Sequence, residues 1–148
     1  MESWIHYLKG DATAPIGNGA KYIVHLCNNL GLWGAGFVLG VSQKWPEPKK
    51  SYLQWYHSEK DFSLGKIQFV PVEKDITIIN MVAQKGIESE DDLPPIRYEA
   101  LKECLNQIAI AAKENKASVH MPRIGSGLAG GNWEEVEKII QKTLIINQ

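Results

Sequence analysis

The sequence predicts an α/β protein, a three-layer α/β/α sandwich around a mixed central sheet, and three observations predict it. The run Tyr22–Cys27 is almost continuously apolar, interrupted only by His25. A strand of that kind belongs in a sheet covered by helices on both faces. Beyond it, strand-like and helix-like segments alternate along the chain. Finally, Ile67–Val70 and Ile76–Val82 flank the polar turn Glu73-Lys74-Asp75 and read as a hairpin, which makes the sheet mixed rather than purely parallel.

The elements follow in order. Ser3–Lys9 has the aromatic and β-branched character of a strand, ended by Gly10-Asp11. Ala12–Lys21 holds Pro15, Gly17 and Gly19 and reads as a loop. Tyr22–Cys27 is the next strand. Asn28–Gly36 is a glycine-rich turn, and Phe37–Trp45 is helical until Pro46 and Pro48 stop it. Lys49–His57 forms a further helix, with Tyr52, Trp55 and Tyr56 spaced as core aromatics. The hairpin comes next, then a polar loop, Ala83–Pro95, whose acidic run Glu88–Asp92 reads as solvated surface. Pro95 suits a helix entrance. Tyr98, Leu101, Leu105, Ile108 and Ala112 then repeat at three and four, which marks a helix over Arg97–Asn115. Ala117–Met121 is a short strand leading to a second glycine-rich loop, Gly125–Gly131. Asn132 caps a last helix in which Trp133, Val136 and Ile140 share a face, with Glu134 and Glu135 in its first turn. Leu144–Gln148 leaves room for only a short closing strand or none.

Composition narrows the function. A chain of 148 residues fits one domain, residues 1–148, with a real core. A formal net charge of −1 argues against nonspecific nucleic-acid binding, which needs a basic surface, and leaves open recognition of one nucleotide in a pocket. The only cysteines, Cys27 and Cys104, lie in apolar stretches and read as reduced core thiols, with no disulfide, metal site or cofactor expected. The opening Met-Glu-Ser-Trp-Ile-His-Tyr is not a signal peptide and no apolar run spans a bilayer, so a cytoplasmic protein without membrane partners is expected.

The chemistry concentrates in the two glycine-rich loops. Each runs from a strand toward a helix N-terminus, where unpaired backbone N–H groups favour an anion. Glycines let that backbone approach a ligand closely. Together the loops suit two phosphates, but neither has the Lys-Ser/Thr of a Walker loop, and Gly31, Gly34 and Gly36 do not follow the dinucleotide-fingerprint order. Asp11 reads as a turn residue or as a ligand contact at a strand's end. His25 reads as a core histidine or as a general acid–base.

Leu8-Lys9-Gly10-Asp11, Val24-His25-Leu26-Cys27-Asn28-Asn29, Gly31-Leu32-Trp33-Gly34-Ala35-Gly36 and Met121-Pro122-Arg123-Ile124-Gly125-Ser126-Gly127-Leu128, in that order, resemble the macrodomain family, whose members bind ADP-ribose and its derivatives. The likeness runs over nearly the whole chain. It points to the branch holding ADP-ribose 1″-phosphate phosphatases and ADP-ribosyl glycohydrolases. The resemblance implies that Asp11 accepts from the adenine amino group and Asn28 orients the distal ribose. It implies that Gly34, Ala35 and Gly36 hold phosphate, and that Gly125, Ser126, Gly127 and Leu128 wrap the ligand from the other side. For catalysis it implies His25 with Asn28. Gapless matching puts Gln84 where the related glycohydrolases use a lysine nucleophile, and Ala129 where they use an aspartate. Phe37-Val38-Leu39-Gly40 supplies neither the acid nor the histidine of another hydrolase group. An amide cannot form the covalent intermediate that an amine can. Lys85, one residue along, is the substitute to consider beside its reading as an exposed loop lysine. The expected function is binding and hydrolysis of an ADP-ribose derivative, either the 1″-phosphate or an ADP-ribosylated protein or nucleic-acid end. The alternative is a non-catalytic ADP-ribose reader.

Overall fold

The computed structural model describes residues 5–90, 92–124 and 130–145. It contains β1 (Lys21–Asn28), α1 (Phe37–Lys44), α2 (Glu47–Ser58), β2 (Ile67–Glu73), β3 (Ile76–Gln84), α3 (Tyr98–Asn115), β4 (Ser118–His120) and α4 (Trp133–Ile140). The strands form a sheet in the order β2-β3-β1-β4. β1 pairs in parallel with both β3 and β4, whereas β2 runs antiparallel to β3. The expected mixed sheet and hairpin are present, and β1 is central.

Strand alternation divides the sheet between two cores. Tyr22 and Val24 of β1 and Ile79, Met81 and Ala83 of β3 face α3 and α4, where they meet Leu101, Cys104, Leu105, Ile108, Val136 and Ile140. Ile23 and Cys27 of β1 and Ile78 of β3 face the other way, onto Val41 of α1 and Tyr52 of α2. Helices therefore cover both faces, which explains the uninterrupted apolar character of β1. Cys27 and Cys104 are both free and buried.

The structure differs from the expectation at three places. No strand forms over residues 5–9. Tyr7 and Leu8, adjacent in sequence, are both exposed, so the segment offers no buried alternating face. It lies instead against α4, where Tyr7 meets Trp133 edge-on and donates its hydroxyl to the Glu137 carboxylate. α2 starts at Glu47, ahead of Pro48. A proline in the first helical turn gives up an N–H that has no helical partner anyway, so it opens the helix. After α4 the chain continues over Gln141–Ile145 as a π-helical turn that buries Thr143 and Leu144. The expected Asn132 cap is formed, its side chain accepting from the Glu134 N–H at 2.8 Å.

Candidate ligand-binding site

The parallel strands β1, β3 and β4 end on the same edge of the sheet, the edge where open α/β sheets place ligands. The loop leaving β1 is closed by Asn28. Its Oδ1 accepts from the N–H groups of Leu30 at 2.9 Å and Leu32 at 3.1 Å, and its Nδ2 donates to the Leu32 carbonyl at 2.7 Å. From α2, the buried Tyr52 hydroxyl donates to the Asn28 carbonyl at 2.6 Å and lies 3.0 Å from Oδ1. Asn29 joins this loop to the one leaving β3. Its N–H donates to the Gln84 carbonyl at 2.9 Å, and its Oδ1 accepts from the Gly86 N–H at 2.8 Å. The far side of the β3 loop meets the loop leaving β4, since a Cβ on Gly130 would lie 3.1 Å from Pro94. The three loops form one rim.

The glycines of the first loop serve different ends. Gly31 has φ +73°, and a Cβ there would fall 2.4 Å from the Tyr56 ring, so this glycine lets α2 pack beneath the loop. Among the described residues, a Cβ on Gly34 or Gly36 would meet nothing within 4 Å. Trp33, buried and donating its Nε1–H to Ser42 Oγ at 2.9 Å, anchors the loop ahead of them. Gly36, at φ +76°, is the N-cap of α1 and, as a glycine, offers the helix no side-chain cap. Gly34, Ala35 and Gly36 thus present backbone at the N-terminus of α1 with no described side chain against it. The predicted partners Gly125, Ser126, Gly127 and Leu128, with Ala129, lie outside the described residues.

Asp11 lies in a turn that follows no strand over residues 5–9. Its Oδ1 accepts from Thr13 Oγ1 at 2.6 Å and Thr13 N–H at 2.8 Å, and the Lys44 ammonium donates to the Thr13 carbonyl at 2.8 Å. The Thr13 hydrogen bonds, with a smaller contribution from Lys44, hold the Asp11 carboxyl below the usual carboxylate range. Both Thr13 bonds go to the same carboxylate oxygen, Oδ1.

His25 is 1% exposed, on the α2 side of β1, between the edge of Trp33 and the ring of Phe37. It sits beside Asn80 of β3 in register, with Nε2 at 2.5 Å from Asn80 Oδ1. The Asn80 Nδ2 donates to the Pro48 carbonyl at 3.2 Å and to Gln68 Oε1 at 3.0 Å. A carbonyl can only accept, so the Asn80 orientation is fixed, and His25 is the Nε2–H tautomer donating to Oδ1. Burial lowers the His25 pKa to about 4 against the opposing pull of the Asn80 bond. The imidazole is therefore neutral at pH 7 and out of contact with solvent. Burial likewise pushes the Cys27 thiol up, and the Cys104 thiol to about 12.

Lys85 gives its N–H to the Pro95 carbonyl at 2.8 Å, and its ammonium lies 4.0 Å from the Glu90 carboxylate in the acidic loop. Gln84 donates its side-chain amide to the Gly86 carbonyl at 3.0 Å. The structure thus brings Asn28 and the Gly34–Gly36 backbone together on one loop. It places His25 beneath that loop and Lys85 beside it. Sequence reasoning missed Tyr52 as a polar anchor, and missed Asn29, Gln68 and Asn80. One signal was available: His25 and Asn80 each interrupt an apolar strand, and two such interruptions in paired strands satisfy one another.

Among the described residues, no group of three or more His, Cys, Asp or Glu side chains could hold a metal ion. No helix among them is long and apolar enough to cross a membrane.

The Macro domain family model matches residues 24–140, from the middle of β1 to the end of α4. The chain belongs to the Macro domain family. This macrodomain is 55% identical to a solved Bacteroides thetaiotaomicron protein of unknown function, with a TM-score of 0.90 over 92% of this chain and 87% of that one. It is 46% identical to a macrodomain protein from Streptomyces coelicolor, with a TM-score of 0.83 over 94% of this chain and 90% of that one. Among curated relatives it is 34% identical to mouse Chromodomain-helicase-DNA-binding protein 1-like, over 95% of this chain but only 16% of the length of that protein. It is also 26% identical to an ADP-ribose 1″-phosphate phosphatase of Candida albicans, over 93% of this chain and 92% of the other.

Proposed function

We propose that the rim at the strand ends binds ADP-ribose or a derivative, and that the protein hydrolyses such a derivative, ADP-ribose 1″-phosphate or an ADP-ribosylated protein or nucleic-acid end. The observation that carries the binding half is the backbone of Gly34–Gly36 at the glycine-capped N-terminus of α1, a cradle for a diphosphate at the end of the central strand. In this reading the second carboxylate oxygen of Asp11, which Thr13 does not use, accepts from the adenine amino group. The amides from Gly34 to Gly36 hold phosphate, and Gly125, Ser126, Gly127 and Leu128 close over the ligand from the opposite loop. Asn28 spends its Oδ1 and one Nδ2 hydrogen on its own loop, which leaves the second Nδ2 hydrogen for the distal ribose.

The hydrolytic half is supported by the name of the phosphatase relative, which matches over nearly its full length. Hydrolysis of the 1″-phosphate needs one water and yields ADP-ribose and phosphate. His25 enters as a neutral group that supports the loop from within the core. A second reading, a macrodomain that binds ADP-ribose without turning it over, is favoured by the burial of His25 and by Gln84 standing where an amine nucleophile would be needed. Incubation with ADP-ribose 1″-phosphate, ADP-ribosylated glutamate peptide and ADP-ribosylated DNA separates the two readings. Release of phosphate or ADP-ribose from any of them supports the enzyme. Survival of all three, with ADP-ribose still bound in a calorimetric titration that AMP and ATP do not match, makes the protein a reader. Lys85→Ala is expected to leave turnover intact, because Glu90 already engages its ammonium.

A further inference from the structure

We infer that Tyr52 is a positioning residue for the distal ribose of the ligand, and that its hydroxyl sets the protein's preference for ADP-ribose over ADP. The inference rests on the reading of the strand-end rim as an ADP-ribose site. The pairing of β1 with β3 slips in register between Cys27 and Asn28, where the chain departs from regular strand geometry. The Tyr52 hydroxyl meets the chain at that departure. It donates at 2.6 Å to the Asn28 carbonyl and lies 3.0 Å from Asn28 Oδ1. The N–H groups of Leu30 and Leu32 hold the same Asn28 Oδ1, at 2.9 and 3.1 Å. The buried Tyr52 oxygen thus meets both the backbone and the side chain of Asn28.

α2 is itself held to the sheet, so this oxygen has a fixed place. The Asn80 Nδ2 reaches the Pro48 carbonyl at 3.2 Å, and the Gln68 amide reaches the Ser51 carbonyl at 2.9 Å. One helical turn beyond Tyr52, the Tyr56 ring fills the space that a Gly31 side chain would need. Pro48, Tyr52 and Tyr56 recur every fourth residue and so share one helix face, which acts as a template beneath the turn. Two consequences follow. The amides of Leu30 and Leu32 are spent on Asn28 Oδ1, so phosphate contact falls to the Gly34–Gly36 stretch. The remaining Nδ2 hydrogen of Asn28 is aimed by a side chain whose oxygen accepts from the Leu30 and Leu32 amides, in a residue whose backbone carbonyl holds the Tyr52 hydroxyl. Removing the hydroxyl therefore loosens the aim of Asn28 and leaves the adenosine and phosphate contacts in place.

The test is Tyr52→Phe, which keeps the ring and removes the oxygen, titrated with ADP-ribose and with ADP. ADP carries the same adenosine and two phosphates without the distal ribose. The expected result is a loss of about tenfold in ADP-ribose affinity, the scale of one hydrogen bond, with ADP affinity changed by less than about twofold. In the unaltered, unliganded protein, the amides of Leu30 and Leu32 are expected to be protected from hydrogen exchange. Equal losses for both ligands, unchanged ADP-ribose affinity, or unprotected amides at Leu30 and Leu32 would overturn the inference while leaving the site reading intact. Absence of ADP-ribose binding by the unaltered protein would overturn both.

Discussion

The two faces of the sheet are built on different principles. The face under α3 and α4 is filled with apolar side chains, among them Ile79, Met81, Leu101, Leu105, Ile108 and Val136, each essentially inaccessible to water. The face under α1 and α2 is threaded by polar groups: His25, Asn80 and Gln68 in a chain, then Tyr52 and Asn28 beneath the glycine loop. Among the described residues, no buried side-chain nitrogen or oxygen lacks a partner. Apolar packing is non-directional and tolerates small shifts, whereas a satisfied hydrogen-bond chain admits one arrangement. The apolar face therefore supplies stability, and the polar face supplies the position of the site.

That division can be broken from either side. The largest expected effect is on the apolar face. Leu105→Ala should cost about 2–5 kcal/mol in chemical denaturation through the cavity it leaves, with the ratio of ADP-ribose to ADP affinity unchanged in the folded protein. A selectivity change would show that the site depends on both faces.

Next comes the pH response of the polar face. The folded His25 pKa, about 4, lies below its ordinary 6.5, so the unfolded chain takes up the proton first as pH falls. The stability tied to neutral His25 is complete above pH 6.5 and is lost progressively as pH falls toward 4, by about 3 kcal/mol in total. Denaturation midpoints across this range should fall more steeply in the unaltered protein than in His25→Gln. Parallel slopes would remove His25 from the account.

The smallest effects compare two glycines of one loop. Gly31→Ala, with φ +73° and the Tyr56 ring in the way, should destabilise the protein by about 1–3 kcal/mol. Gly34→Ala meets no described atom within 4 Å and should change stability by less than about 0.5 kcal/mol, yet weaken ADP-ribose binding by crowding the phosphate. The reverse pattern would exchange the roles assigned to the two positions.

What the sequence disclosed follows from how local each signal is. The α3 periodicity, the Asn132 cap and the hairpin turn are short-range patterns, and each formed as expected. The apolar run of β1 even announced the helices on both sides. Residues 5–9 misled because aromatic and β-branched content suggests a strand without supplying a partner. Pro48 misled because a proline both stops and starts helices. At the candidate site, a glycine turn running into a helix at Phe37 was legible from the glycine spacing. The Tyr52 and Asn80 anchors were not, because their partners lie 24 and 55 positions away in the chain. Spacing marked Tyr52 correctly as a core aromatic and was silent about its hydroxyl.

The central claim is that the loop held by the polar face is where the ligand binds. Backbone amide spectra recorded during titration with ADP-ribose test it most directly. The amides of Asn28 and of residues 34–38 should shift and become protected from exchange, while those within α3 stay unchanged. Shifts confined to the open cavity of about 440 Å³ lined by Tyr56, His57, Glu59 and Phe62, or no shift at all, would contradict it.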